Sequence, residues 1–241
     1  MKFLNLDSPF MQIMNKVADL MWINILTLIC CIPVVTVGAS LTAMHYMALK
    51  IVRDEECYIT KEFFKSFKMN FKQGTAIWLI MLFVFLLLVG DFYIMNHSGL
   101  EFGRPLRVLI IVIAVLALFV SMFVFPVLAK FDNTVLRTIK NSFFISILQF
   151  PKTILMMIFT VLPIGLFIFF PQITPILFLF GLSAPAWASA KLYNKFFQKL
   201  EDQFMGANSQ PEEKTEETDE DARIFRDELD EALLEDSDAG K

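Results

Sequence analysis

The sequence is poor in the residues that build metal and disulfide centres. It contains three cysteines and two histidines among 241 residues. Two of the cysteines, Cys30 and Cys31, are adjacent inside an apolar run, where cysteine usually behaves as a small hydrophobic side chain. The two histidines, His45 and His97, lie far apart in the sequence. We therefore expect neither a disulfide framework nor a metal site.

Sequence motifs for catalysis are missing as well. The chain has no GxxxxGKS/T loop for phosphates and no HExxH pattern for zinc. Its long apolar runs contain no pair of carboxylates and no set of serine, histidine and aspartate. These absences argue against an enzyme, so we expect no catalytic activity and no cofactor. A nucleic-acid partner is not expected either.

Apolar residues are abundant instead. They make up 56% of the chain and include 27 phenylalanines, whereas a soluble domain has roughly 45–50% apolar residues. Four runs are free of charge, namely residues 20–49, 74–90, 108–129 and 153–190. A membrane-spanning helix needs about 20 apolar residues. The sequence therefore predicts an integral membrane protein, an all-α polytopic helix bundle.

The number of spans depends on how the two longest runs divide. Pro33 and Gly38 interrupt residues 20–49, which form either one tilted span or most of two spans that turn there. The run 153–190 suits two spans joined at residues 171–175. We expect about six transmembrane segments, with five as the alternative.

The orientation follows from lysine and arginine. Basic residues concentrate at 50–72, at 130–152 and after residue 190, whereas residues 91–107 contain only Arg104 and Arg107. Because basic loops stay in the cytoplasm, these segments should be cytoplasmic. With six spans, both termini are then cytoplasmic, and the protein is expected in the cell membrane.

A weak internal repeat supports the six-span alternative. With a shift of eighty positions, the matched pairs are Lys50 with Lys130, Phe63 and Phe64 with Phe143 and Phe144, Ser66 with Ser146, and Lys72 with Lys152. The repeated unit would be an inward-running helix, a basic cytoplasmic segment and an outward-running helix.

Residues 61–72 predict an amphipathic helix at the membrane surface. Phenylalanines share one face and lysines flank it, while Glu62, Ser66 and Asn70 lie opposite. We expect the rings to face the lipid bilayer and the lysines to reach its phosphates. The predicted interfacial and partner surface consists of Lys61, Phe63, Phe64, Lys65, Phe67, Lys68, Phe71 and Lys72.

The composition divides the chain into a transmembrane domain, residues 1–205, and an acidic flexible cytoplasmic tail, residues 206–241. Within the tail, residues 222–234 have helical apolar spacing among acids and arginines. This short helix could dock with a partner, fold back on residues 61–72, or remain an ordinary solvated end.

Polar side chains inside the apolar runs are candidates for lining a cavity. They are Asp19, Asn24, Thr36 and His45. Such a cavity would favour a small-solute transporter over an accessory protein.

The N-terminal part of the sequence carries a family resemblance. The matching segments are DSPF at 7–10, CIPVVTVGAS at 31–40, RDE at 53–55, FFKSFK at 63–68 and NFK at 70–72, together with Asp19, Asn24 and Lys50. They resemble the YesL family, a bacterial integral-membrane family of unknown function. The resemblance implies a multi-pass protein of Gram-positive bacteria, often encoded beside carbohydrate-uptake ABC transporters and sensor kinases. It implies an accessory role, with a permease or sensor kinase as partner, and no catalytic residues.

Overall fold

The computed structural model of the protein describes residues 9–55, 57–97, 103–131 and 133–208. Within these ranges the chain is helical and contains no strand, so the predicted all-α class is confirmed. The helices are α1 (Pro9–Cys31), α2 (Val37–Val52), α3 (Ile59–Met69), α4 (Phe71–His97), α5 (Arg104–Lys130), α6 (Val135–Leu148), α7 (Phe150–Phe169), α8 (Thr174–Phe180) and α9 (Ser183–Asn208). Short 3-10 turns at Val34–Thr36 and Pro171–Ile173 precede α2 and α8.

Contacts divide the chain into two units, Met1–Asn194 and Lys195–Lys241. The described part of the second unit, residues 195–208, is helical. The predicted division at residue 205 falls inside α9, which ends at Asn208. The predicted tail helix at 222–234 lies outside the described residues.

The described helices include five that are long and apolar enough to cross a membrane singly. Their ranges are Phe10–Cys31, Val34–Val52, Phe71–His97, Arg104–Lys130 and Phe150–Phe169. A sixth candidate is the pair Pro171–Phe180 and Ser183–Gln203, which is bent by 56°. The predicted five to six segments are therefore confirmed, and the first apolar run forms two helices.

The turn between α1 and α2 is closed by hydroxyl groups. The Thr36 hydroxyl lies 2.6 Å from the Cys30 carbonyl oxygen and 2.7 Å from that of Pro33. Ser40 Oγ donates a hydrogen bond of 3.0 Å from α2 to the Thr27 carbonyl of α1. The Cys30 carbonyl is one of those that the end of α1 leaves without a helical partner, and pairing it matters in a membrane because water is scarce there.

Helix α2 is the centre of the first unit and packs against α1, α3, α4 and α5. Small side chains permit this close packing, since Gly38, Ala39 and Ala43 are all buried. A Cβ atom added to Gly38 would lie 2.1 Å from the carbonyl oxygen of Gly74 on α4. The two backbones are therefore in direct contact, as small residues allow in membrane proteins.

The apolar core continues between α4 and α5, and their outer faces are apolar as well. The buried cluster comprises Ile77, Met81, Val120, Val124, Phe125 and Leu128. Exposed outward side chains include Leu79, Phe83, Leu86, Val108, Leu109 and Val112. Exposing an apolar surface of this extent to water would be unfavourable, whereas the acyl chains of a bilayer would cover it.

The internal repeat is visible in the structure. Helices α2, α3 and α4 follow a long–short–long order that α5, α6 and α7 repeat. A single residue joins each short helix to the next long one: Asn70 with φ −93° and ψ 4°, and Gln149 with φ −103° and ψ 33°. The ring pairs Phe63–Phe64 and Phe143–Phe144 both meet edge to face, with centroids 5.7 and 5.8 Å apart.

Candidate functional site

A cavity of about 320 Å³ lies among α2, α4, α5, α7 and the break between α8 and α9. Most of its lining is apolar. Its polar contributors are His45 from α2, Trp78 from α4, Ser121 from α5, Thr160 from α7 and Ser189 from α9. Its volume falls near the lower end of the roughly 300–1,000 Å³ typical of small-molecule sites.

Two ring nitrogens on side chains that line this cavity have no hydrogen-bond partner. They are His45 Nδ1 and Trp78 Nε1, and both atoms are buried. The hydroxyls of Ser121 and Thr160 differ, because they donate to carbonyls of their own helices at 2.6 and 2.9 Å. Buried polar atoms are normally paired, and an unpaired one costs about 1–3 kcal/mol. His45 and Trp78 therefore carry the two buried, unpaired nitrogens of the lining, and the hydroxyl of Ser189 is a further polar group there.

The wall of the cavity at the α8–α9 break is fastened by Asn24 of α1, which is fully buried. Its Oδ1 accepts hydrogen bonds of 2.9 Å from the backbone N–H groups of Leu182 and Ser183. Its Nδ2 donates a bond of 2.7 Å to the Phe178 carbonyl. One amide side chain thus satisfies three backbone groups that the broken helix cannot pair internally.

The four polar residues that the sequence proposed for a cavity occupy different places. His45 lines the cavity. Asn24 supports the wall through backbone contacts, and Thr36 binds carbonyls at the α1–α2 turn. Asp19 lines a separate open groove with Trp22 and residues 58–61. The structure therefore does not bring the four together, and it adds Trp78, which no sequence pattern singles out from the other apolar residues of its span.

The short helix α3 is held to the bundle by its polar face. Glu62 Oε2 lies 3.4 Å from the Tyr46 hydroxyl and 3.4 Å from Lys50 Nζ, both on α2. Trp22 Nε1 on α1 donates a bond of 2.8 Å to Thr60 Oγ1. Burial raises the pKa of the Glu62 carboxyl, but nearby charges, that of Lys50 foremost, outweigh it and lower the pKa below its ordinary value. Glu62 is therefore ionised at neutral pH and anchors α3.

Helix α2 ends beside this anchor. The Glu55 N–H donates to the Lys50 carbonyl at 3.1 Å and the Asp54 N–H to the Ile51 carbonyl at 3.3 Å, the paired bonds of a Schellman motif. Asp54 has φ 55°, in the left-handed region that favours glycine, and its carboxylate forms an ion pair with Lys16 of α1. The motif directs the chain back toward α3.

The outward face of α3 differs from the prediction at Phe63. This ring is fully buried against the protein, so the expectation that it belongs to an outward surface is wrong. Phe67 is half-buried. The remaining members of the predicted surface are exposed, namely Lys61, Phe64, Lys65, Lys68, Phe71 and Lys72. Phe63 lies next to Glu62, whose contacts with Tyr46 and Lys50 hold that side of α3 against α2. The Phe63 ring therefore packs inside the protein and does not face the bilayer.

Helix α6 presents a similar outward face, with no acidic residue along its length. Its exposed side chains include Leu136, Arg137, Lys140, Phe144 and Leu148. Residues of α3 share a small cleft with Leu128, Ala129 and Lys130 at the end of α5, shortly before α6 begins. The two short helices thus lie at the same end of the bundle. We refer to the exposed faces of α3 and α6 as the basic platform.

The part of the chain that the structure describes contains no group of three histidine, cysteine, aspartate or glutamate residues able to hold a metal. Cys30, Cys31 and Cys57 are free thiols.

These features define a polytopic α-helical membrane protein with short amphipathic helices at one end of its bundle. A family model described as "Protein of unknown function, DUF624" matches residues 20–92, which include α2, α3, about half of α1 and most of α4. The match is consistent with the resemblance to the YesL family. No curated protein and no solved structure matches the chain.

Proposed function

We propose that this protein is a non-enzymatic accessory of a membrane uptake system and binds a permease or sensor kinase through the basic platform. The observation that carries the proposal is the platform itself. Helices α3 and α6, with 11 and 14 residues, are too short to span a bilayer, and both expose cationic and apolar side chains. A surface of that chemistry suits the boundary between lipid headgroups and a membrane-bound partner.

The resemblance to the YesL family, together with the family match, supports this setting. Membership of that family would place the protein in the cell membrane of a Gram-positive bacterium and associate it with carbohydrate uptake. The lining of the cavity agrees with an accessory role better than with sugar transport, because a sugar offers several hydroxyls and the mainly apolar cavity offers few partners.

The orientation proposed with this function is cytoplasmic for the platform and for both termini. The platform holds most of the lysines between the spans, whereas Arg104 and Arg107 stand alone at the start of α5. Reporter fusions at residues 3 and 205 should both give a cytoplasmic signal, and a fusion at residue 100 an external one. An external signal at residue 3 with a cytoplasmic one at residue 205 would contradict the six-span arrangement.

The partner surface is tested by charge reversal. We expect the double variant Lys65→Glu and Lys68→Glu to lower recovery of a co-expressed permease subunit of a carbohydrate-uptake transporter by about tenfold. A partner that binds a basic surface presents complementary negative charge, and the introduced glutamates would repel it. Arg104→Glu with Arg107→Glu is the matched control, because it reverses two charges at the opposite end of a span. Recovery that is equal for both pairs would overturn the platform as the contact surface.

A second candidate function, binding or transport of a small solute, is favoured by the cavity beside His45. Intramembrane polar groups commonly mark ligand or ion sites, and here two of them have no protein partner.

A further inference from the structure

We infer that the cavity binds a mainly apolar molecule with one hydroxyl or carbonyl group, which pairs with Trp78 Nε1 and His45 Nδ1. The inference rests on the second candidate function and names the ligand class of that site. It starts from the two buried, unpaired nitrogens on facing helices and from the apolar character of the remaining lining.

The chemistry of the two nitrogens selects the polar group. An indole N–H is a donor only, so Trp78 requires an acceptor on the ligand. Histidine Nδ1 donates or accepts according to its tautomer. A hydroxyl oxygen satisfies both, since it accepts from the indole and exchanges a hydrogen bond in either direction with the imidazole. A carbonyl oxygen satisfies both when Nδ1 carries the proton.

Two of the three hydroxyls of the cavity do not extend this polar region, whereas the third, that of Ser189 on α9, adds one polar group to it. Ser121 and Thr160 already direct their single protons to the carbonyls of Leu118 and Met156. The ligand body therefore meets chiefly apolar groups such as Leu41, Met44 and Phe125. A polyhydroxylated sugar or a free ion would lose its water without sufficient replacement, which makes both poor ligands.

The cavity adjoins the α8–α9 break, where Gly181 and Leu182 contribute to the lining. A medium-chain alcohol dissolves in the acyl region and carries one hydroxyl, so it is a suitable probe of the proposed chemistry.

The test uses the full chain in lipid nanodiscs and a photoreactive octanol that carries a diazirine on its alkyl chain. Adducts are located by mass spectrometry, with unlabelled 1-octanol as competitor. We expect saturable labelling of residues that line the cavity, displaced by 1-octanol and weak with the corresponding diazirine alkane. Labelling confined to the outward faces of the helices, or undiminished by competitor, would overturn the site.

Variants distinguish recognition of the octanol hydroxyl from occupation of the cavity by the alkyl chain alone. Trp78→Phe and His45→Phe should each weaken competition by 1-octanol about fivefold, through the loss of one hydrogen bond. Thr160→Val is the matched control and should change it less than twofold, because that hydroxyl is already paired. Ser121→Phe should abolish labelling by filling the cavity. Equal effects of Trp78→Phe and Thr160→Val would overturn the proposed pairing, provided that melting temperatures show each variant to be folded.

The failure of the second candidate function is distinguishable from the failure of this inference. Because octanol crosses a bilayer unaided, transport is measured with a solute that does not, such as labelled glucose. Saturable octanol binding without protein-dependent uptake of that solute into proteoliposomes would remove transport and leave the ligand site in place. The absence of saturable binding would remove the ligand site whatever the transport result.

Discussion

Gly38→Ala should destabilise the protein by at least about 3 kcal/mol, although it adds a single methyl group. The new Cβ atom would lie 2.1 Å from the Gly74 carbonyl oxygen and 2.6 Å from Trp78 Cβ. Neither neighbour is the far end of a flexible side chain, so α2 and α4 would have to separate. For a chain of this size, that loss corresponds to a fall in melting temperature of about 6–12 °C, measurable by thermal unfolding in detergent.

Other glycines provide graded controls for this prediction. A Cβ at Gly74 would lie 3.0 Å from Ala39 backbone atoms, so Gly74→Ala should have an intermediate effect. Gly90 and Gly165 have no atom within 4 Å of the added methyl, and their alanine variants should keep the melting temperature within about 2 °C. A Gly38→Ala protein as stable as Gly90→Ala would show that α2 and α4 do not meet at this close distance.

The spans were predictable because the bilayer imposes its length on the sequence. The signals that mark spans, namely charge-free runs, prolines and the positions of lysines, can each be read within a short stretch of sequence. From them we predicted the α1–α2 turn near Pro33 and the turn at residues 171–175. The repeat was readable because matching side chains recur at corresponding places in the helix order, as at Lys50 and Lys130, the last basic residues of α2 and α5. The break between α8 and α9 was not predicted. Gly181 and, in the first turn of α9, Pro185 do mark it, but no charge interrupts the apolar run there, and the run was divided only at residues 171–175.

The site was less accessible to sequence reasoning because its contacts join distant segments. Phe63 was assigned to the lipid face by helical spacing alone, whereas the Glu62 anchor to α2 decides its direction. Trp78 resembled an ordinary apolar span residue, and only the neighbouring helices show that its N–H has no partner. Asn24 was recognised as unusual in an apolar run, but its partners lie more than 150 residues away. A polar residue in an apolar run thus identified Asn24 as a candidate, but only the contacts in the folded protein show that it binds the α8–α9 break.

Asn24→Leu should be about as damaging as the methyl group at Gly38, for a different physical reason. Leucine has the branched shape of asparagine and the same number of side-chain heavy atoms, but its two methyl groups are bulkier than the amide oxygen and nitrogen. At this fully buried position the change therefore removes three hydrogen bonds and also adds some volume. The N–H groups of Leu182 and Ser183 and the carbonyl of Phe178 would be left without their partner in an apolar environment. At about 1–3 kcal/mol for each of the three buried unsatisfied groups, we expect a loss of about 3–9 kcal/mol.

The matched control for this prediction is Asn141→Leu, which makes the same chemical change at an exposed position on α6 and should cost less than about 0.5 kcal/mol. A second measurement reports on the break itself. Because Gly181 and Leu182 line the cavity, Asn24→Leu should also reduce saturable labelling by the photoreactive octanol, while Asn141→Leu should not. An Asn24→Leu protein that melts with the control and still binds the probe would mean that the α8–α9 break is held by other contacts and that Asn24 does not fasten the cavity wall.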